Sequence, residues 1–475
     1  MPTGPAMRPR GARPSRVLGR DGRVPLRLAH AGLDASYAAF LAGVIPWAFG
    51  RVCSDAKARA RWLAYLHDVP ARFGRRSARL GTAPCVWVHG VSVGEIKAAA
   101  RLVESIEARV PGVEMLLTAT TDTGYRVARE RYPGRRVEFY PPDLSFIVED
   151  ALDRLRPDLV LLVESEFWPN FLTSVRTRGI PVVLVNGRIS ARSAARFSYA
   201  GGFARSLMGA LALVCVQLPV YAERFRALGV PAERVVVTGN LKLDNVPLVE
   251  DRVRSDAFAR LLGVGVGRGA VPLCVAGSTH PGEERLVGEL VQRVRGAGLA
   301  LRLVVAPRHP GRADAAESDL RRAGLSVVRR SRLVAGSAGP DASSAILLDT
   351  VGELEAVYSL ADIVYVGGSL VRHGGQNMME PASLGKPVVV GPHTWNFRGE
   401  VDLLSAAGGI AVVDDAASLC TTVLGWLRDP AGAALVGARG RDAILASKGA
   451  TARTLEVLLP LLATLARQSG RRASL

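Results

Sequence analysis

The sequence predicts an α/β protein built from two doubly wound, Rossmann-like domains that face each other across a cleft. Three observations predict it. The chain has 475 residues, more than one ordinary core accommodates, so two domains of roughly 200 residues each are expected. From Cys85 onward, short apolar runs alternate with segments of helical spacing such as "EIKAAARLVESIEARV". Most of the runs are continuously apolar rather than alternating, as in strands covered by helices on both faces. Repeated β-α-β units of this kind build a parallel sheet.

The elements follow in order. Residues 1–34 carry seven arginines against Asp21 and Asp34, and read as a basic, disordered arm. Residues 35–55 read as an apolar, membrane-associated segment. Its core, Ala35 to Gly50, is 16 residues long, uncharged and interrupted by Pro46. A confident span needs about 20 apolar residues, and no cleavage site of small residues stands out after it. Tyr37, Trp47 and the flanking arginines suit a segment lying in the membrane interface; a single span and a packed helix stay open. Residues 56–240 make the first domain, with strands at "CVWVHG", "VEMLLTATT", "RRVEFY", "DLVLLVES", "IPVVLVNG", "LALVCVQL" and "RVVVTGN". A linker lies near 241–256. The pattern restarts in 257–430 with "VPLCVAGS", "LRLVVAP", "LSVVRR", "AILLDT", "ADIVYVGGS", "KPVVVGP" and "GIAVVDD", and 431–468 read as C-terminal helices rich in Ala and Leu.

Composition narrows the partners. The formal net charge is +18, which suggests nucleic acid, anionic lipid or a phosphorylated substrate. No recognition helix with base-reading side chains and no zinc or RNA-binding pattern accompanies the charge, so nucleic acid is the weaker reading. The five cysteines, Cys53, Cys85, Cys215, Cys274 and Cys420, form no C-x-x-C. They read as small buried hydrophobes of a chain in a reducing compartment.

Ligands in such sheets bind at the carboxyl ends of the strands, and polar clusters stand there. "GVSVG" (Gly90 to Gly94) fits the strand-to-helix elbow that presents a nucleophilic serine, here Ser92. That chemistry needs an upstream oxyanion loop and a downstream acid and histidine. The one "HGG", at His373, lies in the other half, and nothing around His393 reads as a triad. Glu95 is the better candidate: a carboxylate in the first turn of a helix is held ionised by the helix N-terminus and can deprotonate a hydroxyl. Its plain alternative is a helix-start acid. In the second half, Arg308 follows a strand end, where a fixed cation can meet a phosphate. The segment Gly367 to Pro392 combines glycines, N-x-x-E and "GKPVVVGP". A helix starting near Asn377 would aim its N-terminus at an anion, and Glu380 could accept two ribose hydroxyls. A Gly-rich turn with a capping carboxylate is the plain alternative there.

Taken together, these clusters resemble the bacterial Kdo transferases, which move 3-deoxy-D-manno-octulosonic acid (Kdo) from CMP-Kdo to the lipid A precursor. The matching stretches run in family order from about 86 to 397: "HGVSVGE", "TTDTGYRVA", "YPPDLSFIVEDAL", "PDLVLLVESEFWPN", "NGRISARS", "GNLKLD", "GSTHPGEE", "APRHPGR", "DTVGELEAVYSLADIVYVGGSLV" and "GGQNMMEPASLGKPVVVGPHTWNF". The resemblance implies a GT-B fold and an inverting transfer with no metal or other cofactor, and the sequence has no D-x-D and no H-E-x-x-H. It makes Glu95 the general base. Glu166 and Lys242 become transition-state stabilisers, with Glu164 the other possible critical carboxylate of its motif. For CMP it implies Pro307, Arg308, Val351, Gly352, Glu353, Asn377, Met378, Met379 and Glu380. Ser92, Gly94, Arg188 and Ser190 are the acceptor-side candidates.

The sequence departs from the family pattern at Gly90 (Ala or Ser expected), Gly187 (Ala), Ile189 (Leu), Val351 (Met), Gln376 (His) and Met378 (Pro). None of these removes a proposed catalytic group. The implied partners are CMP-Kdo, the lipid A precursor and an anionic membrane surface, on the cytoplasmic face of the inner membrane. Two alternatives differ in chemistry: another GT-B or nucleotide-sugar enzyme using a UDP-sugar, and, more remotely, a serine hydrolase using Ser92.

Overall fold

Every predicted apolar run forms a strand in the computed structural model of the chain, which describes residues 30–39, 42, 72, 77–246, 251–265, 270–334 and 339–473. The first sheet holds β1 (Cys85–His89), β2 (Glu114–Ala119), β3 (Arg136–Phe139), β4 (Leu159–Val163), β5 (Val182–Gly187), β6 (Leu211–Val216) and β7 (Val235–Val237). Their order is β3-β2-β1-β4-β5-β6-β7. The second holds β8 (Leu273–Thr279), β9 (Arg302–Pro307), β10 (Val327–Arg329), β11 (Ala345–Leu347), β12 (Ile363–Val366), β13 (Val388–Val390) and β14 (Ala411–Val412), in the order β10-β11-β9-β8-β12-β13-β14. All pairings are parallel. This is the GT-B arrangement of two α/β domains.

The continuous apolar runs have a direct cause in the packing. In β1, Cys85 and Trp87 enter one helix layer, while Val86 and Val88 enter the other. In β8, Leu273 and Val275 face one layer, and Cys274 and Ala276 the opposite one. Each fully buried Val, Leu or aromatic side chain contributes about 1.5–3 kcal/mol, and a polar residue on either face, such as His89 or Thr118, is buried only with a hydrogen-bond partner. Burial pushes the thiols of Cys85, Cys215 and Cys274 up to about 12, which leaves them unreactive.

Both sheets reverse direction in the middle. In the first, β1 leads outward to β2 while its other neighbour, β4, leads the opposite way to β5. In the second, β8 and β12 stand in the same relation. At such switch points the helices on the two sides diverge, which opens a crevice at the strand ends.

Two segments tie the halves together. Asp244 caps the helix Ala450–Ala473, accepting from Gly449 N at 2.7 Å and Thr451 N at 2.6 Å. The Leu458, Leu462 and Leu465 side chains of that helix then join the core of the first domain. The helix before it, Pro430–Ser447, lies on the second domain, where a Cβ at Gly437 would meet the Gly385 carbonyl at 2.0 Å. By length and composition, Pro430–Arg467 is apolar enough to cross a membrane, and a third of its most apolar part is buried inside the protein.

At the other end of the chain, residues 30–39 are helical. Asp34 accepts from Ser145 N and Asn170 Nδ2, both at 3.0 Å, and Tyr37 donates to Asp143 at 2.9 Å. The expected disordered arm, 1–34, therefore ends earlier than its composition indicates, because Asp34 holds the starts of two helices. The rest of the arm, and the remainder of the 35–55 segment beyond residues 39 and 42, lie outside the described residues.

The second switch point is closed by Glu283, which is fully buried. Its carboxylate accepts from His280 N, Gly368 N, Ser369 N, Leu370 N and the Tyr365 hydroxyl at 2.6–3.1 Å. One side chain thus fixes the ends of β8 and β12 against each other. Glu283→Ala strips five donors of their acceptor and should cost on the order of 3 kcal/mol or more. Urea unfolding monitored by far-UV circular dichroism checks this.

Candidate active site

The loop after β1 is built to present Glu95. Gly90 N–H donates to the Thr118 carbonyl, and Thr121 binds the Val91 carbonyl through both its N–H and its hydroxyl. Thr121 also caps the helix Asp122–Arg131 by accepting from Gly124 N. A Cβ at Gly124 would lie 2.8 Å from that hydroxyl, so "TDTG" is a brace for the Val91 turn. Held this way, Val91 N–H donates to Glu95 Oε2 at 2.6 Å and the Ser92 hydroxyl to Oε1 at 3.0 Å. Glu95 sits in the first turn of the helix Val93–Ala98, beside the exposed Gly94. A Cβ at Gly90 would come 3.0 Å from the Cβ of Glu95, so glycine gives this turn its room.

The elbow reading of Ser92 does not survive this geometry. Its hydroxyl is spent on Glu95. The histidine nearest in sequence, His89, is buried with Nδ1 against Thr118 and Nε2 3.7 Å from Glu166.

Glu164 and Glu166 follow β4, across the switch point from Glu95. Glu164 is buried and lies at φ 70°, a left-handed backbone that side-chain-bearing residues seldom adopt. Asn186 at the end of β5 (φ 54°) and Ser278 in β8 (φ 53°) share that strain. Such outliers concentrate where surrounding structure over-determines a site. The Glu164 carboxylate is clamped by Lys242 Nζ at 2.5 Å and Arg188 Nε at 2.7 Å. Lys242 is placed in turn by Asn240, whose side chain accepts its N–H, and by Asn186, which accepts from Leu241 N. Glu166 accepts from Trp168 Nε1 at 2.7 Å. Lys242 therefore binds Glu164, not Glu166. Ser190 caps the helix Ala191–Tyr199 through Ser193 N and makes no contact with the carboxylates.

Three carboxylates in one crevice shape its electrostatics. Burial, then the charge of Glu164, pushes Glu95 up to about 7; the Val91 and Ser92 hydrogen bonds oppose this and Glu166 adds to it. Such a carboxylate is suited to accept a proton near neutral pH.

In the second domain Arg308 is exposed just past β9, next to the buried Pro307, and its N–H donates to Thr279. Asn377 Nδ2 donates to Glu380 Oε1 at 2.9 Å. Burial raises Glu380, while Asn377, then Lys97 and Arg308, oppose the rise. Lys97 belongs to the Glu95 helix, so the field of the first domain reaches the nucleotide-side candidates. Val351 is 83% exposed beside Gly352, which adopts φ 83°. Glu353 is engaged by Thr350 and by Arg330 at 2.9 Å.

The segment around Asn377 is partly core. The side chains of Met378 and Met379 are buried in the second-domain core. The helix expected near Asn377 spans only Met379–Ser383, and its first N–H is taken by Asn377. A helix of five residues carries little macrodipole; Lys97 and Arg308 are the cations whose charge acts on Glu380.

Sequence reasoning missed His280, His373 and Gln376 as a group. The two rings lie 3.7 Å apart, and Gln376 reaches His280 Nε2 at 3.0 Å. Burial, then His373, pushes His280 down to about 4. It also missed His89, stacked on Tyr140 at 3.8 Å. The "H" of "VHG" was a visible signal, but its partners come from other strands.

Residues 67–245 match the family model described as 3-deoxy-D-manno-octulosonic-acid transferase (kdotransferase). The chain is 38% identical over 403 residues to a 3-deoxy-D-manno-octulosonic acid transferase of Bordetella pertussis, covering 82% of this chain and 90% of that protein. It is 30% identical to the Haemophilus influenzae protein of the same name, with 82% and 91% covered. In fold it is similar to the UDP-GlcNAc 2-epimerase of Neisseria meningitidis, with a TM-score of 0.53 over 79% of this chain and all of that one, at 14% identity.

Because Glu95 is raised in the folded state, the stability it contributes is complete below pH 4.5 and lost as pH rises through about 7. Glu95→Gln cannot ionise. Its thermal midpoint should exceed that of the parent protein by about 2 °C or more at pH 8 and match it near pH 4; calorimetry at both values checks the sign.

Proposed function

Since this chain belongs to the 3-deoxy-D-manno-octulosonic acid transferase family, we propose that it transfers Kdo from CMP-Kdo to the 6′-hydroxyl of a lipid A precursor, with inversion. The observation that carries this reading is Glu95, a carboxylate raised to about 7 at the switch point of the first domain. Its helix neighbour Lys97 acts on Glu380 of the second. One half thus holds a proton acceptor and the other a cation suited to a leaving phosphate.

In this mechanism Glu95 takes the proton of the acceptor hydroxyl as that oxygen bonds to the anomeric carbon of Kdo. The bond from that carbon to the CMP phosphate breaks, and its electron pair leaves with the phosphate. Arg308 stabilises the charge that builds there. Glu166 faces the positive charge developing on the sugar. Glu164 holds Lys242 in place, and Lys242 is the second stabilising cation. Pro307, Asn377, Glu380 and the Val351–Glu353 loop form the nucleotide side, with Met378 and Met379 contributing backbone only. No metal or other cofactor takes part. The enzyme works at the cytoplasmic face of the inner membrane, where the acceptor lipid is reached. The +18 net charge supports an anionic surface as its partner.

Glu95→Gln should retain CMP binding and lose nearly all transfer, while Ser92→Ala keeps substantial activity. Product mass after incubation with CMP-Kdo and the tetraacylated disaccharide reads both; normal turnover by Glu95→Gln would sink the base assignment. Chelation with EDTA should leave the rate unchanged. CMP should raise the thermal midpoint and UDP should not; the reverse result favours a UDP-sugar enzyme.

A further inference from the structure

Between Glu166 and Glu223 the chain contains six arginines and no Asp, Glu or Lys. Three of the six, Arg192, Arg196 and Arg205, lie on a helical hairpin formed by Ala191–Tyr199 and Gly201–Met208, and all three are exposed. The first of these helices buries none of its residues. At its end Tyr199 is 88% exposed, and Phe203, just beyond Gly201 and Gly202, is 48% exposed. Among the described residues the three arginines form no ion pair, Arg196 reaching only the Ser193 hydroxyl at 3.4 Å, and neither exposed ring belongs to the core of its domain.

The hairpin is not remote from the chemistry. It starts at Ser190, two residues after the arginine that clamps Glu164. Phe197 meets Phe167 edge-on at 5.7 Å, and Phe167 follows Glu166 directly in the β4 loop. The hairpin therefore packs against the β4 loop that carries Glu164 and Glu166.

We infer that the hairpin Ala191–Met208 is a docking surface for an anionic lipid bilayer, separate from the N-terminal segment. Tyr199 and Phe203 enter the interface, and Arg192, Arg196 and Arg205 meet lipid phosphates. Aromatic and basic residues on one short helical unit are the composition of an interfacial element. An acidic protein would answer the arginines but not the two aromatic side chains. A single-stranded nucleic acid would stack on the rings, but the sequence carries no RNA-binding pattern, and protection by an RNA oligonucleotide decides for it or against it. The inference rests on the reading that the acceptor is lipid-borne: docking here would bring a headgroup to the crevice without lifting the acyl chains from the membrane.

The test uses the full chain carrying Cys53→Ser and Tyr199→Cys, labelled at position 199 with an environment-sensitive fluorophore. The described cysteines are all buried and stay unlabelled. A second protein carries the label at Val253, which is 83% exposed in the helix Arg252–Leu262. Vesicles of phosphatidylcholine and phosphatidylglycerol should shift the emission at 199 to the blue and reduce iodide quenching there about fivefold, leaving position 253 unchanged. Phosphatidylcholine alone should do much less. Adding Arg192→Glu and Arg196→Glu should weaken the vesicle response at 199 about tenfold or more. A label at 199 that stays fully quenched while the protein sediments with the vesicles would overturn the inference. So would protection by an RNA oligonucleotide equal to that by the vesicles. Transfer to a detergent-dispersed acceptor is the separate arm, and Arg192→Glu/Arg196→Glu should leave it unchanged. If the parent protein transfers no Kdo there, the proposed function fails while the vesicle response at 199 stands or falls by itself.

Discussion

A buried carboxylate at the end of β4 sets the conditions for the groups around it. Glu164 is 4% exposed, and its charge is met by Lys242 from the linker and Arg188 from the β5 loop. Removing one partner of such a buried group leaves an uncompensated charge, at a typical cost of about 3–5 kcal/mol. The left-handed backbone at Glu164 is part of the same arrangement. It turns the chain at the end of β4, and the strain persists because two cations and the β5 carbonyl of Val185, which accepts from Glu164 N, fix the residue from three sides. The field of Glu164 then raises Glu95. Anchoring the cations and tuning the neighbouring carboxylate are two effects of one charge.

The second domain solves the matching problem without cations. Among the described residues, Glu283 bridges β8 and the Gly367–Leu370 turn with backbone N–H groups and the Tyr365 hydroxyl as its donors. Glu284 beside it is also fully buried, and is bound by Arg312 at 2.8 Å. Each sheet thus carries a buried glutamate at the place where its strand order reverses. There the helices part; in the second sheet the backbone N–H groups at the gap take Glu283 as their acceptor, and in the first the cations Lys242 and Arg188 meet Glu164.

The two halves are coupled through the linker. Asn245 Nδ2 donates to the carbonyls of Lys97 and Ala98, at the end of the Glu95 helix. Asp244 caps the last helix, and Lys448 Nζ reaches the Val246 carbonyl at 2.8 Å. Lys242 lies in the same four-residue helix as Asp244. A movement of the second domain would thus pass through the segment that carries the cation on Glu164. Asn240, which caps that helix, also reaches Glu400 of the second domain at 3.4 Å.

The sequence by itself determined the sheets and the placement of the polar clusters. Runs such as "LVLLV" in a repeated β-α-β pattern read as strands buried on both faces, and the turns that follow them are where polar chemistry stands. Glu95, Arg308 and the carboxylates of "ESE" were legible for that reason, together with the motif order. The tertiary structure alone decided which charges meet. Lys242 is far from Glu164 in sequence yet binds it, because the order β1-β4-β5 brings the strand ends together. Met378 and Met379 sit in a segment matched to nucleotide binding, yet they face the core, since the one-turn helix points its apolar side inward. Asp34 falls in a stretch whose composition reads as disordered, and the Ser145 N–H at one helix start and the Asn170 side-chain amide at another hold it in place. Pattern and propensity act over a few residues, whereas a charge pair or a cap depends on chain brought close by the fold, a distance that no local pattern encodes.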